Sequence, residues 1–529
     1  MLLATMMLVG TFTGCGSKTE DVAGDGQTLT IGIPQSANVT SYDENALTKY
    51  IEESLDINLK FVYFNSSSEN YLQQLTLMAS SGENMPDVLW GFAGMDNNTR
   101  NEFGDAGYFL DLTDLIDKYA PNYKAQFEKL TEKEQKRITN RGTSESGHFY
   151  SMPLYSMQAV DDLQNMMFIN QTWLDKVGMS APTNVDELYN VLKAFKEQDP
   201  NGNGKADEIP LFGTAGLGMN VCDYVINAYV YYDTNNEFNV TDGKLWAPFT
   251  SDEYREAVIF LNKLCKEGLL SELSFSVTST TEQIALHTPA NNTALVGIWQ
   301  GHPSLSTDKS SPLVADYVAL GTLGDATGKG GYTVIKPNTL SWCSFITKDC
   351  KNPELAMKLL DFFYADETVT RVRHGEKDVD WKEAEGTNIY GTASKFNAIN
   401  SDVFFKGDRT WCINGNAILT YDNYIAGTET STEADKEITR LTQGLWDVMK
   451  DAKTPEKLVR ELTYTAEEYE ARSEYNSMIK QHIVEARNYF ILGTKDPSND
   501  AHWQEYLNDL EKLGLPEYMK IMQTAYDRQ

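Results

Sequence analysis

Gln27–Pro34 reads QTLTIGIP and Pro86–Trp90 reads PDVLW, and the pattern between them decides the fold. The first run is rich in β-branched residues and reads as a strand. Glu44–Leu55 places Leu47, Tyr50, Ile51 and Leu55 on one stripe of a helix. Ile57–Phe64 alternates like a strand. Asn70–Ser80 repeats Leu72, Leu75 and Met78 at helical spacing, and PDVLW is a short buried strand. This β-α-β-α-β order predicts a mainly parallel sheet with helices on its faces. Ligands of such sheets sit beyond the carboxyl ends of the strands.

Further along, GHFYSMPLY (Gly147–Tyr155) is an extended segment able to cross between folding units. Met166–Asn170 starts a new strand, followed by helices Gln171–Val177 and Val185–Glu197, the latter capped by Asn184 or Thr183. Asp252–Gly268 is helical, ALVGIWQ (Ala294–Gln300) is a strand, and Tyr332–Ile346 reads as paired strands. A helix over Asn352–Ala365 starts with Pro353 in its first turn. From about Thr432 the chain is helical and acidic.

Toward the other end, Leu2–Thr13 is a short apolar run that stops at Thr13-Gly14-Cys15-Gly16. Small residues before a cysteine look like a lipoprotein cleavage site, although no Lys or Arg precedes Lys18. The run is too short to span a bilayer, which takes about 20 residues. Residues 1–14 are therefore expected to be a signal peptide, with Cys15 lipidated and 15–26 a polar tether. The remainder is placed at the extracellular face of the cell membrane.

At 529 residues the chain exceeds a single core, so two or three folding units are expected. Lys plus Arg number 45 against 76 Asp plus Glu, a net charge of −31 that repels phosphate backbones and argues against nucleic acid. Apart from Cys15, Cys222, Cys265, Cys343, Cys350 and Cys412 are sparse and lack CxxC spacing, which excludes a disulfide-stapled domain and a zinc ribbon.

DPNGNGKADEIPL (Asp199–Leu211) sets oxygen-bearing side chains at alternate positions with Gly204 at the turn, like the first half of an EF-hand loop. Asp199, Asn201, Asn203, Asp207 and Glu208 supply side-chain oxygens and Lys205 its carbonyl. Pro210 stands where an EF-hand has its bidentate Glu, so the expectation is a structural Ca²⁺ clip rather than a switch. The alternative is a plain Asn/Gly turn.

The chain resembles the extracellular solute-binding proteins of ABC importers, the family serving sugar and oligosaccharide uptake, and within it the large Gram-positive lipoprotein branch. The likeness rests on Thr13-Gly14-Cys15, PDVLW, Phe149–Pro153, Trp173–Gly178, Pro182–Leu188, Asp199–Leu211, His374-Gly375-Glu376 with Trp381, and Ala525–Arg528. It implies an α/β, two-lobed periplasmic-binding-protein-like (type II) fold with hinge segments and a central cleft. The lobes would be 27–155 plus 331–375, and 156–330 plus 376–529. It also implies calcium at the 199–211 loop, permease partners, a monomer, and a ligand released unchanged after hinge closure.

A sugar site wants aromatic platforms and planar polar groups. By the strand-end rule Trp90, Gln35 and Asn65 are candidates, with Tyr155 a weaker one. The resemblance adds Trp299 and Trp381 as stacking aromatics. Anionic ligands would need Arg or Lys in the cleft, and the sequence places none there. An extracellular carbohydrate-active enzyme is the main rival. It would need paired carboxylates, and no G-x-S-x-G, H-E-x-x-H, Walker loop or dinucleotide fingerprint occurs. A ligand-sensing receptor subunit would look the same in sequence.

Overall fold

The structure is a computed structural model. It describes residues 27–157, 163, 165–214, 220–234, 238–334, 339–388, 392–400, 403–405, 407–420, 433–449, 452–456, 458–459, 462 and 464–528. Residues 1–26, with the expected leader, Cys15 and tether, lie outside the described residues. In chain order the strands are β1 (Thr28–Pro34), β2 (Asn58–Phe64), β3 (Val88–Trp90), β4 (Met152–Ser156), β5 (Met167–Asn170), β6 (Ile209–Phe212), β7 (Asn239–Thr241), β8 (Lys244–Trp246), β9 (Val296–Gln300), β10 (Tyr317–Leu320), β11 (Thr339–Ile346), β12 (Trp381–Glu383), β13 (Phe396–Ala398) and β14 (Ala417–Leu419).

Two sheets organise two halves. The first runs β14-β4-β11-β3-β1-β2, with β1 parallel to both β2 and β3, as the opening sequence pattern predicts. Leu29, Ile31 and Ile33 alternate into its core. Gly32 lies between them because a Cβ there would stand 2.7 Å from Leu89 Cδ2 and 2.9 Å from Phe64 Cε2. β11 enters antiparallel between β3 and β4, so Thr339–Ile346 is one strand across the sheet and not one arm of a local pair.

β14 corrects the lobe boundary expected from the resemblance. It pairs parallel with β4, so this part of 376–529 belongs to the first sheet. Packing gives the reason. Asn45 Nδ2 donates to the carbonyls of Gly407 and Thr410 (3.0 and 2.8 Å), and Trp411 Nε1 donates to Thr48 Oγ1 at 2.8 Å. The Trp411 ring meets Trp90 edge-on at 4.8 Å. The segment thus buries its apolar groups against the first core.

The second sheet runs β10-β5-β9-β6, with β6 and β9 parallel. The helix Val185–Glu197 begins at Asn184, whose side chain accepts from Glu187 N, and buries Leu188, Val191, Leu192 and Phe195. The C-terminal helices complete this half. Arg487 of the helix Ala466–Ile491 pairs with Asp223 at 2.9 Å, and both side chains are 1% exposed. Removing one partner of such a pair strands a buried charge, at a cost of about 3–5 kcal/mol. All five described cysteines are free. Among the described residues no helix is long and apolar enough to cross a membrane.

Candidate functional site

β3 ends at Trp90, and the chain turns through Gly91 into the helix Asn97–Asp105. Asp96 caps that helix, its Oδ1 accepting from Thr99 N at 2.9 Å. The helix brings Asn97, Asn98, Arg100 and Asn101 to one wall of a cavity of about 550 Å³, within the usual range for ligand sites. The end of the helix Glu132–Gly142 adds Asn140 and Arg141, and β11 adds Leu340, Ser341 and Trp342. β11 shifts register between Trp342 and Ser344, a bulge of the kind that re-aims a side chain. Gly142 leaves room for the indole, since a Cβ there would approach Trp342 Cη2 to 2.6 Å. The facing wall comes from the other half of the molecule and carries Leu462, Tyr464 and Tyr469. Tyr469 OH donates to Asp96 Oδ2 at 3.0 Å, a hydrogen bond across the gap. Burial, then the Asp96 carboxylate, raises the Tyr469 phenol above its ordinary pKa.

Arg100 dominates the first wall. It is 1% exposed. Its Nη2 donates to the Arg141 carbonyl (2.9 Å) and, with Nε, to Asn101 Oδ1 (2.8 and 3.0 Å). Its guanidinium carbon lies 4.5 Å from the centre of the Trp342 ring, a cation–π contact. Nη1 has no partner, nor does Asn98 Nδ2. Burial lowers the Arg100 pKa to about 9, so the group stays cationic at neutral pH. Carboxylates at the same cavity are exposed: Asp96, Glu102, Asp105 and Glu145. Asp105 already accepts from Ser146 Oγ and Tyr150 OH.

None of the six ligand candidates read from the sequence lines this cavity. Trp299 is 0% exposed, its ring faced by Phe168 at 4.4 Å and stacked on His287 at 4.6 Å. Trp90 is buried against Phe363 and Trp411. Both indoles are core, which corrects the expectation of open stacking platforms. Tyr155 is buried too, its hydroxyl donating to Glu134 Oε1 at 2.6 Å. Trp381 is half-buried on the β12–β13 hairpin, edge-on to Phe396 at 4.8 Å, with Nε1 donating to the Gly375 carbonyl. Gln35 and Asn65 are exposed at the ends of β1 and β2; Asn65 Oδ1 accepts from Ser67 N at 2.9 Å. The residues that do line the cavity come from four other stretches of the chain, the first of them just past β3. The one sequence signal for them is the amide-rich run Asn97–Asn101 a few residues beyond a strand end.

The 199–208 loop folds its oxygens onto its own backbone. The Asp199 carboxylate accepts from Asn203 N and Gly204 N (3.1 and 3.0 Å), and Asn203 Oδ1 accepts from Lys205 N at 2.8 Å. Asp207 Oδ1 accepts from the amides of Asn201 and Asn203 (3.0 and 2.9 Å). Glu208 Oε1 is buried without a partner, and burial, then Asp199 and Asp207, raises its pKa. Among the described residues no three carboxylate, imidazole or thiolate side chains converge as metal ligands. The donor set, part amide and part carboxylate with one orphaned oxygen, still suits a hard cation.

The fructooligosaccharide ABC transporter substrate-binding protein FusA of Streptococcus pneumoniae is 26% identical over 92% of this chain and 87% of its own length. Lipoprotein LipO of Bacillus subtilis is 28% identical over 51% of this chain and 50% of its own. A solved structure of a FusA EF-hand mutant in complex with fructo-nystose superposes with a TM-score of 0.70 at 22% identity, covering 95% of this chain and 99% of that one. The two-lobed fold expected from the sequence is the fold of these neighbours. The family model for bacterial extracellular solute-binding proteins matches residues 34–370, and the chain belongs to that family.

Proposed function

We propose that this chain captures an oligosaccharide between its halves and delivers it, unaltered, to the permease of an ABC importer. The observation that carries the reading is the cavity with one wall from each half, bridged by Tyr469 and Asp96. A ligand touching both walls favours the closed state by its differential affinity for it. Tyr464 and Tyr469 offer faces for sugar C–H surfaces, Trp342 backs the wall beneath Arg100, and Asn98, Asn101 and Asn140 offer planar amides for hydroxyls. The likeness to FusA supports a saccharide ligand.

The protein is held outside the cell by lipid on Cys15, a reading supported by Thr13-Gly14-Cys15 and by the likeness to LipO, and it acts as a monomer. Asp199, Asn201, Asn203, Asp207 and Glu208, with the Lys205 carbonyl, would hold Ca²⁺. The ion would neutralise their charges and pin the loop that leads into β6.

Calorimetry on the soluble chain against an oligosaccharide panel tests the function. One-to-one binding with the sugar recovered intact is the expected result. Turnover of labelled sugar would make the chain an enzyme, and silence across the panel would remove the proposal.

A further inference from the structure

The cavity holds a buried cation that no carboxylate hydrogen-bonds among the described residues; the anion acting on it is the exposed Asp96, through its charge alone. Arg100 and Arg141 are its cationic lining residues among those described, and Arg100 is 1% exposed. The partners of Arg100 are a backbone carbonyl, an amide oxygen and the Trp342 ring, all formally neutral. Its Nη1 donates to nothing. Proteins pair buried charges, because an uncompensated ion in a low-dielectric site is costly. Asn98, two positions before Arg100 at that wall, leaves its Nδ2 without a partner as well. Two donors without acceptors at one wall of a ligand cavity describe half of a recognition site. A guanidinium fork with an unused N–H fits a carboxylate.

The cavity's carboxylates do not fill that role. Asp96 is engaged by Thr99 N and Tyr469 OH, and Asp105 by Ser146 and Tyr150. Glu102 and Glu145 are exposed to water. With a net charge of −31 the chain as a whole repels anions. An acidic ligand therefore needs a local counter-ion, and Arg100 is placed to be one.

We propose that the ligand is an acidic oligosaccharide, carrying a uronate-type carboxylate, and that Arg100 is its specificity-determining counter-ion. This rests on the oligosaccharide-capture reading above and sharpens it.

The test uses size-matched trimers: trigalacturonate, its methyl ester and neutral galactotriose, with further uronate, neutral and amino-sugar trimers as the panel. Calorimetry on the soluble chain should show uronate trimers binding about tenfold or more tighter than neutral partners, as a charge-assisted contact implies. That preference should shrink as salt rises. Esterification should bring the affinity to the neutral level. Arg100→Gln should bring the acid-to-neutral ratio close to one, and Arg100→Lys should restore part of it, with melting curves reporting the fold of each variant. If Arg100→Gln does not fold, the ester comparison on the unaltered protein decides. Neutral or cationic trimers binding as tightly as acidic ones, or a preference that survives Arg100→Gln, overturns the acidic-ligand proposal and leaves oligosaccharide capture standing. No binding by any saccharide overturns both.

Discussion

The two walls of the cavity are unlike. The wall on the first half is amide-rich and charged, built on the helix Asn97–Asp105, the end of the helix Glu132–Gly142, and β11. The wall on the second half is short and aromatic, built from Leu462, Tyr464 and Tyr469 at and before the start of the helix Ala466–Ile491. One wall carries the hydrogen-bonding vocabulary and the other supplies a cover. The difference teaches that recognition and closure are divided between the halves. In the proposed capture, chemical specificity belongs to the first half, and the second closes on it through the Tyr469–Asp96 hydrogen bond.

Breaking the first wall should have the largest effect. Trp342 is buried between Arg100 and Phe149. Trp342→Ala should cost about 3–5 kcal/mol of stability, read by denaturant unfolding, and should abolish measurable sugar binding. A Tyr464→Ala variant that loses as much of both would erase the asymmetry.

Acid probes the second half. His287 is buried against Trp299, with Nδ1 hydrogen-bonded to the Ser306 carbonyl at 2.8 Å, and burial lowers its pKa to about 4. The unfolded imidazole titrates near 6.5. The unfolded chain therefore takes up the proton first, and stability present above about pH 6.5 is lost as the pH falls toward 4. The loss should approach about 3 kcal/mol. Comparing the unfolding of the parent and His287→Gln across that window isolates it. Parallel curves would show that the imidazole is not the source.

A smaller effect is expected at the 199–208 loop. Asp199→Ala should lower the melting temperature, and EDTA should lower it in the parent alone. A calcium clip held at a hundred times its dissociation constant adds about 2.7 kcal/mol. Equal melting with and without chelator would return the loop to an ordinary turn.

Smallest is the contact between the walls. Tyr469→Phe removes one hydrogen bond, worth about 1 kcal/mol, and should weaken ligand affinity roughly fivefold. Asp96→Asn, which keeps a side-chain acceptor for Tyr469, should weaken it less. A Tyr469→Phe variant with parental affinity would show that this bond takes no part in closure.

How much of this was legible depended on sequence distance. The strands and helices from Thr28 to Trp90 follow each other directly, so period-2 and period-3.6 patterns were enough to order them. β14 escaped because it is three residues long and returns to β4 from more than 250 positions away. The site was harder. The strand-end rule locates a neighbourhood but not which side of the sheet a ring takes. Trp90 ends β3 and Trp299 is the last residue but one of β9, and both are buried in the core among other aromatic rings. Arg100 sits in a polar helix that reads as solvated surface, and its burial arises from Trp342, contributed by a distant strand. Tyr469 meets Asp96 across 373 positions, a pairing no local pattern encodes.

The sheet memberships have a mechanical result. The chain leaves the first sheet after β4 for β5, returns from β10 to β11, and leaves again after β14 for the C-terminal helices. Two bodies on a single string can tumble independently, whereas bodies strapped at three places keep little more than a swing. A protease nick in any one strap would leave the pair still tied together, so loss of grip after limited digestion should lag well behind the first cut.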